Sequence, residues 1–159
     1  MPPTRNTPLD RGTVIRIAGD LIDTEGLEAL TMKRLAAVAG VTQPALYRHV
    51  TGMDDVWREL GLRTRLDLAA AMSDACVGLS GPDAVRSVAS AWRHYGQAHP
   101  GRYRSTDRYP VAGDDELEAA VERSIGVLAL SMRAYRLDAD ELGHEARLVR
   151  SALHGFVSC

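Results

Sequence analysis

Between Thr31 and Val50 the chain reads TMKRLAAVAGVTQPALYRHV, and its second half brings Gln43, Tyr47, Arg48 and His49 close together in sequence. An amide, a phenol, a guanidinium and an imidazole are hydrogen-bonding and cationic groups. Set along the outward side of one short helix, they suit contacts to base edges and phosphates. Three adjacent polar-tipped side chains, Tyr47-Arg48-His49, would serve no purpose in a hairpin used only for packing.

The elements that must hold these groups are punctuated in the sequence. Thr31 and Thr42 are predicted N-caps, each with a hydroxyl able to accept from an orphan backbone N–H. Leu30 with Leu35, and Val41 with Leu46, are spaced as two hydrophobic staples around those caps. Gly40 lies between the helices, where a helix end calls for a left-handed residue without a Cβ penalty. Two capped helices joined by a glycine turn make a helix-turn-helix.

At 159 residues, 45% hydrophobic and 25% charged, the chain has an ordinary globular composition for one domain or two small lobes. The formal net charge of −2 does not advertise a nucleic-acid binder. Residues 1–65 hold nine basic and eight acidic residues, so the DNA-binding reading rests on placement rather than total charge. Lys33 is the only lysine, and aromatics are only 5%, which makes the core aliphatic. Cys76 and Cys159 have no metal or redox spacing, and the scattered histidines His94, His99, His144 and His154 suggest no metal site. We read no secretory segment and no run of bilayer-spanning length, so a soluble cytoplasmic protein with free thiols is expected. Neither cofactor nor metal is expected. GxSxG, P-loop and CxxC motifs are missing, which leaves an enzyme without a positive case.

In chain order, residues 1–8 read as a Pro-rich tail in which Arg5, with Arg11 just after it, could reach a phosphate backbone. Ile15, Ala18, Leu21 and Ile22 form a helical stripe from Asp10 to Thr24. With Leu27, Leu30, Leu35, Val38, Val41, Leu46 and Val50 they are predicted to build a trihelical core. A long helix follows over 53–77, docked by Val56, Leu60 and Trp57 and continued by Leu66, Ala69, Ala70 and Cys76. Further helices are expected over 82–98, 114–137 and 140–157, with a short helix or turn through Tyr103. The run Asp114-Asp115-Glu116-Glu118 reads as a solvated helix start favoured by the helix dipole. No strand alternation is present, so the expected class is all-α.

The stretch EGLEALTMKRLAAVAG followed by GVTQPALYRHVTGMDDVWREL resembles the TetR family of bacterial transcriptional regulators. Gln43 to Val50 is similar to the recognition helix of the tetracycline-repressor type. AHPGRYRST at 98–106 and ALHGFVSC at 152–159 resemble the C-terminal domain of a TetR subgroup with a His-Gly pair in its penultimate helix; Leu153 stands at its usual tryptophan position. The resemblance implies a homodimer on a palindromic double-stranded operator, with a small-molecule effector bound in the second lobe. It also implies roles residue by residue. Gln43 and Pro44 would face bases, with Gln43 able to pair with adenine and Pro44 or Ala45 able to touch a thymine methyl. Tyr47 would meet base or backbone. Thr42 and His49 would lie on phosphate, Lys33 would reach a base, and Thr31 would offer its hydroxyl and helix end to a phosphate. Met53 stands where the family often has a lysine, and Arg48 stands at an aromatic position. Family members continue through one more helix, so the second lobe is expected to be C-terminally incomplete.

Trp92, Tyr95, Tyr103, Met132, Tyr135 and His144 are candidates for lining an effector pocket, against the plainer reading that such residues are core. The expected ligand is mostly apolar. His154 is expected to bond across a helix–helix contact. The sequence thus predicts a DNA-binding lobe at 1–52 and a ligand-binding and dimerisation lobe at 53–159. Its expected function is repression relieved by a small molecule, since occupancy alone blocks a promoter. The alternative is a helical small-molecule binder with vestigial DNA binding.

Overall fold

The structure is a computed structural model describing residues 9–158. All regular elements there are helical: α1 Arg11–Glu25, α2 Met32–Ala39, α3 Gln43–Leu46, α4 Met53–Ala75, α5 Gly81–Ala98, α6 Pro100–Ser105, α7 Asp115–Ser131 and α8 Ala139–Ser158. Local chemistry starts most of them. The Asp10 carboxylate caps α1 by accepting from the Thr13 N–H at 2.7 Å. Asp138 and Glu141 exchange bonds at 2.8 and 3.1 Å in a capping box that opens α8. Among the described residues no helix is long and apolar enough to cross a membrane.

Two apolar clusters share the helix α4. The first joins the α1 stripe to Leu30, Leu35, Leu46 and Val50 and takes in Val56 and Leu60. The second joins Leu68, Ala69 and Met72 to Val88, Trp92, Tyr103, Ile125 and Leu128. The stripe on α4 therefore runs Leu60, Thr64, Leu68, Met72, each four residues on, and all are buried. Of the residues expected to continue into the second lobe, Ala69 is buried and Cys76 packs against that cluster, whereas Leu66 is only half-buried and Ala70 is exposed. Thr64 concealed the buried stripe, because a hydroxyl interrupts an apolar pattern.

Two other expectations are corrected. Val38 is 36% exposed and lies outside the first core. The helix expected over 114–137 ends at Ser131, and a short 3-10 turn, Arg133–Tyr135, follows. Arg136 then takes a left-handed conformation, φ 56°, reversing the chain so that α8 packs back on α7.

Candidate nucleic-acid interface and effector cavity

The α2–α3 unit is built as its punctuation requires. Thr31 accepts from the Arg34 N–H at 3.1 Å, and Thr42 from the Ala45 N–H at 3.4 Å. Gly40, at φ 69°, lets the Val41 N–H reach the Ala36 carbonyl at 3.0 Å, the long bond of a Schellman end. Leu35, Leu46 and Val50 are fully buried and anchor the unit. Regular helix stops at Leu46, but the N–H groups of Tyr47, Arg48, His49 and Val50 carry the hydrogen-bonded turns onward. Thr31, Lys33, Thr42, Gln43, Pro44, Tyr47 and Arg48 are exposed, and Ala45 and His49 are half-buried. Tyr47, with half its surface in solvent, is a large ring with no core to fill. Such a surface can hydrogen-bond base edges through Gln43 and reach phosphates through its cations.

The low net charge of this lobe has a structural reason. Arg11, Arg16, Arg34, Arg58 and Arg63 all pair with carboxylates inside the molecule. Lys33 and Arg48 have no such partner among the described residues. The acids thus neutralise these arginines and leave Lys33 and Arg48 unpaired among the described residues.

Arg11, which the sequence alone leaves free either to reach a phosphate backbone or to be solvated, has its guanidinium held internally. It donates to both Asp55 oxygens at 2.8 and 2.6 Å, to Glu59 at 3.3 Å and to the His49 carbonyl at 3.2 Å. Asp55 also accepts from the Thr51 N–H at 2.8 Å. The Arg11 bond pulls the Asp55 carboxyl down to about 2. One ion pair therefore fastens the start of α1, the end of the α3 turns and the start of α4. Arg5 lies outside the described residues.

A second fastening joins the lobes. A Cβ on Gly101 would run into the Ile22 carbonyl, so α6 sits directly on the end of α1. The Arg102 N–H donates to Asp23 at 2.9 Å, its guanidinium meets Asp20 and Asp23, and His99 Nδ1 lies 3.2 Å from Asp23. Asp114 is likewise not simply solvated: it caps α7 and grips Arg58 of α4 at 2.5 and 2.8 Å, with Glu116 2.6 Å from the same guanidinium. These clamps were illegible in sequence because each joins residues far apart in the chain.

Next to Arg102, Tyr103 turns inward. Its hydroxyl accepts from Trp92 Nε1 at 2.8 Å and lies 2.8 Å from His154 Nδ1. His154 thus bonds across a helix–helix contact, as expected. Trp92, Tyr103 and His154 border a cavity of about 60 Å³ among α4, α5, α7 and α8, together with Arg65, Arg150 and Asp107. The other candidates lie elsewhere. Met132 and Tyr135 line an open groove with Val85 and Val149, and Tyr95 lines a surface hollow with His94 and His99. The Tyr95 hydroxyl faces Thr64, and burial pushes it up to about 12. His144 is exposed on α8 and borders none of these spaces. Sequence reasoning missed Arg65 and Arg150, since two of eighteen arginines carry no mark of facing inward.

Residues 14–60 match the family described as bacterial regulatory proteins of the tetR family, and residues 85–159 match a tetracyclin-repressor-like C-terminal domain. An uncharacterized HTH-type transcriptional regulator of Mycobacterium tuberculosis is 34% identical over 96% of this chain and 71% of its own length. The chain belongs to the TetR family. The fold agrees. A possible TetR-family regulator from Streptomyces coelicolor A3(2) superposes with a TM-score of 0.71 at 23% identity, over 94% of this chain and 70% of that one. BioQ, solved with its double-stranded DNA operator, superposes at 0.68 and 22% identity, over 94% and 85%.

As a TetR-type transcriptional regulator the protein is a DNA-binding protein and not an enzyme. The TetR N-terminal match spans α1 to α3 and the docked start of α4. Residues 61–84, matched by neither description, carry Thr64 and Arg65. There the helix shared by the two lobes passes the cavity.

Proposed function

We propose that the protein is a ligand-responsive repressor acting in the cytoplasm, a homodimer that sets one α3 per subunit into each half of a palindromic operator. The observation that carries this reading is the exposed face of α2 and α3, where Gln43 and Tyr47 stand beside the unpaired cations Lys33 and Arg48. In this reading Gln43, Pro44 and Ala45 meet bases, Lys33 and Tyr47 meet base or backbone, and Thr31, Thr42, Arg48 and His49 lie on phosphate. Residues 1–52 form the DNA-binding lobe and 53–159 the effector and dimerisation lobe. Leu148 and Phe156, 56% and 67% exposed on α8, support association through that helix.

The effector occupies the cavity beside Tyr103. Tyr103 shares the short helix α6 with Gly101 and Arg102, which grip α1. A molecule that moves Tyr103 therefore moves the start of the DNA-binding lobe, and the spacing of two recognition helices changes with it. The test is fluorescence anisotropy of a labelled duplex taken from DNA flanking the protein's own coding sequence. Binding well above that of a scrambled duplex is expected. Equal binding to both would overturn the operator reading.

A further inference from the structure

The cavity among α4, α5, α7 and α8 holds an unbalanced charge. Arg65 and Arg150 both line it, with Asp107 as its single carboxylate. Arg65 is half-buried and donates to the Gly61 and Thr106 carbonyls at 2.9 and 2.7 Å, neither of which is charged. Arg150 has no hydrogen-bond or ion-pair partner among the described residues. Asp107 turns toward His154 Nε2, 3.6 Å away, with 65% of its side chain in solvent. Two guanidiniums thus share a partly dry space with one largely solvated carboxylate, which leaves an excess of positive charge. Burial, with Arg150 close by, holds Arg65 below its ordinary value, and the opposing pull of Asp107 offsets this only in part. An uncompensated cation in such a place is costly, and an anion relieves it.

The geometry points to a small oxyanion with a short apolar body, of the short-chain carboxylate class, as the molecule this cavity binds. A carboxylate takes the fork of a guanidinium through two charge-assisted hydrogen bonds. Leu68, Trp92 and Val121 supply the apolar wall for a few carbons. At about 60 Å³ the cavity is small, which favours a ligand with a short body. This deepens the effector reading above and rests on its placing the effector in the same cavity.

The chain has two tryptophans, so Trp57→Phe leaves Trp92 as the sole reporter, on the cavity wall. In that background, straight-chain carboxylates from acetate to hexanoate and their amides are titrated by Trp92 fluorescence and calorimetry. The best carboxylate should bind at least about tenfold tighter than its amide. Arg150→Gln should remove that difference while leaving the fold intact, because Arg150 has no hydrogen-bond or ion-pair partner among the described residues. Equal affinity for acid and amide, an acid preference unchanged in the Arg150 variant, or no carboxylate binding at all would overturn the inference. Operator anisotropy is read in parallel. Release by the amide as well as the acid keeps the effector reading and rejects the anion. Carboxylate binding that depends on Arg150 but leaves the operator complex intact keeps the anion site and rejects the effector reading.

Discussion

Arg11 and Asp55 form a two-pronged ion pair, at 2.8 and 2.6 Å, between the starts of α1 and α4. The same guanidinium holds the His49 carbonyl, where the recognition turns end. A pair that looks like ordinary stabilisation therefore also fixes the angle at which α3 leaves the lobe.

The pair makes stability depend on acid. Asp55 has its carboxyl lowered to about 2 by Arg11, so its stabilisation is complete above the ordinary value of 3.8 and fades as pH falls through 2. Asp55→Asn should cost about 1–2 kcal/mol at pH 7, with the cost shrinking below pH 3.8 and gone only below pH 2. Chemical denaturation at a series of pH values checks this. A cost that does not shrink in acid would assign it to packing.

On the proposed reading Gln43 meets a base and Arg48 a phosphate, and two variants separate these roles. Gln43→Ala should lose about 1–3 kcal/mol on the operator and relax preference at one base pair. Arg48→Ala should weaken every duplex alike and lower the salt slope by about one unit. Anisotropy against salt, on specific and scrambled duplexes, distinguishes them. An unchanged slope would take Arg48 off the phosphate.

The contact between Gly101 and Ile22 tests the link between lobes. Gly101→Ala puts a methyl against the Ile22 carbonyl and should destabilise by about 1–3 kcal/mol. Operator affinity should fall as well, because Arg102 is pushed off Asp20 and Asp23. Thermal melting gives the first effect and anisotropy below the melting range the second. Unchanged affinity in a destabilised variant would confine the contact to stability.

Tyr103 holds two neighbours through one hydroxyl. Tyr103→Phe leaves the buried Trp92 Nε1–H without its acceptor and should cost about 1–3 kcal/mol. Trp92 emission should shift with it, read in the Trp57→Phe background. Equal stability with unchanged emission would show that a water replaces the hydroxyl.

The sequence by itself determined the α2–α3 unit, the residues it exposes and the all-helical class. Caps, staples and the left-handed glycine act on neighbours a few residues away, so their physics is written locally. Tertiary structure alone decided which charges are available. Arg11 and Arg48 are alike in sequence, yet one is bound by Asp55 and the other has no partner among the described residues, because ion pairs between distant residues depend on how helices dock. It also decided which face of α4 is buried, where Thr64 hid the stripe, and split the six candidate pocket residues among a cavity, a groove, a surface hollow and an exposed face. Helical periodicity tells which residues share a side of one helix. Which helix that side meets, and so whether Arg65 and Arg150 face each other across a cavity, is set by the packing of four helices at once.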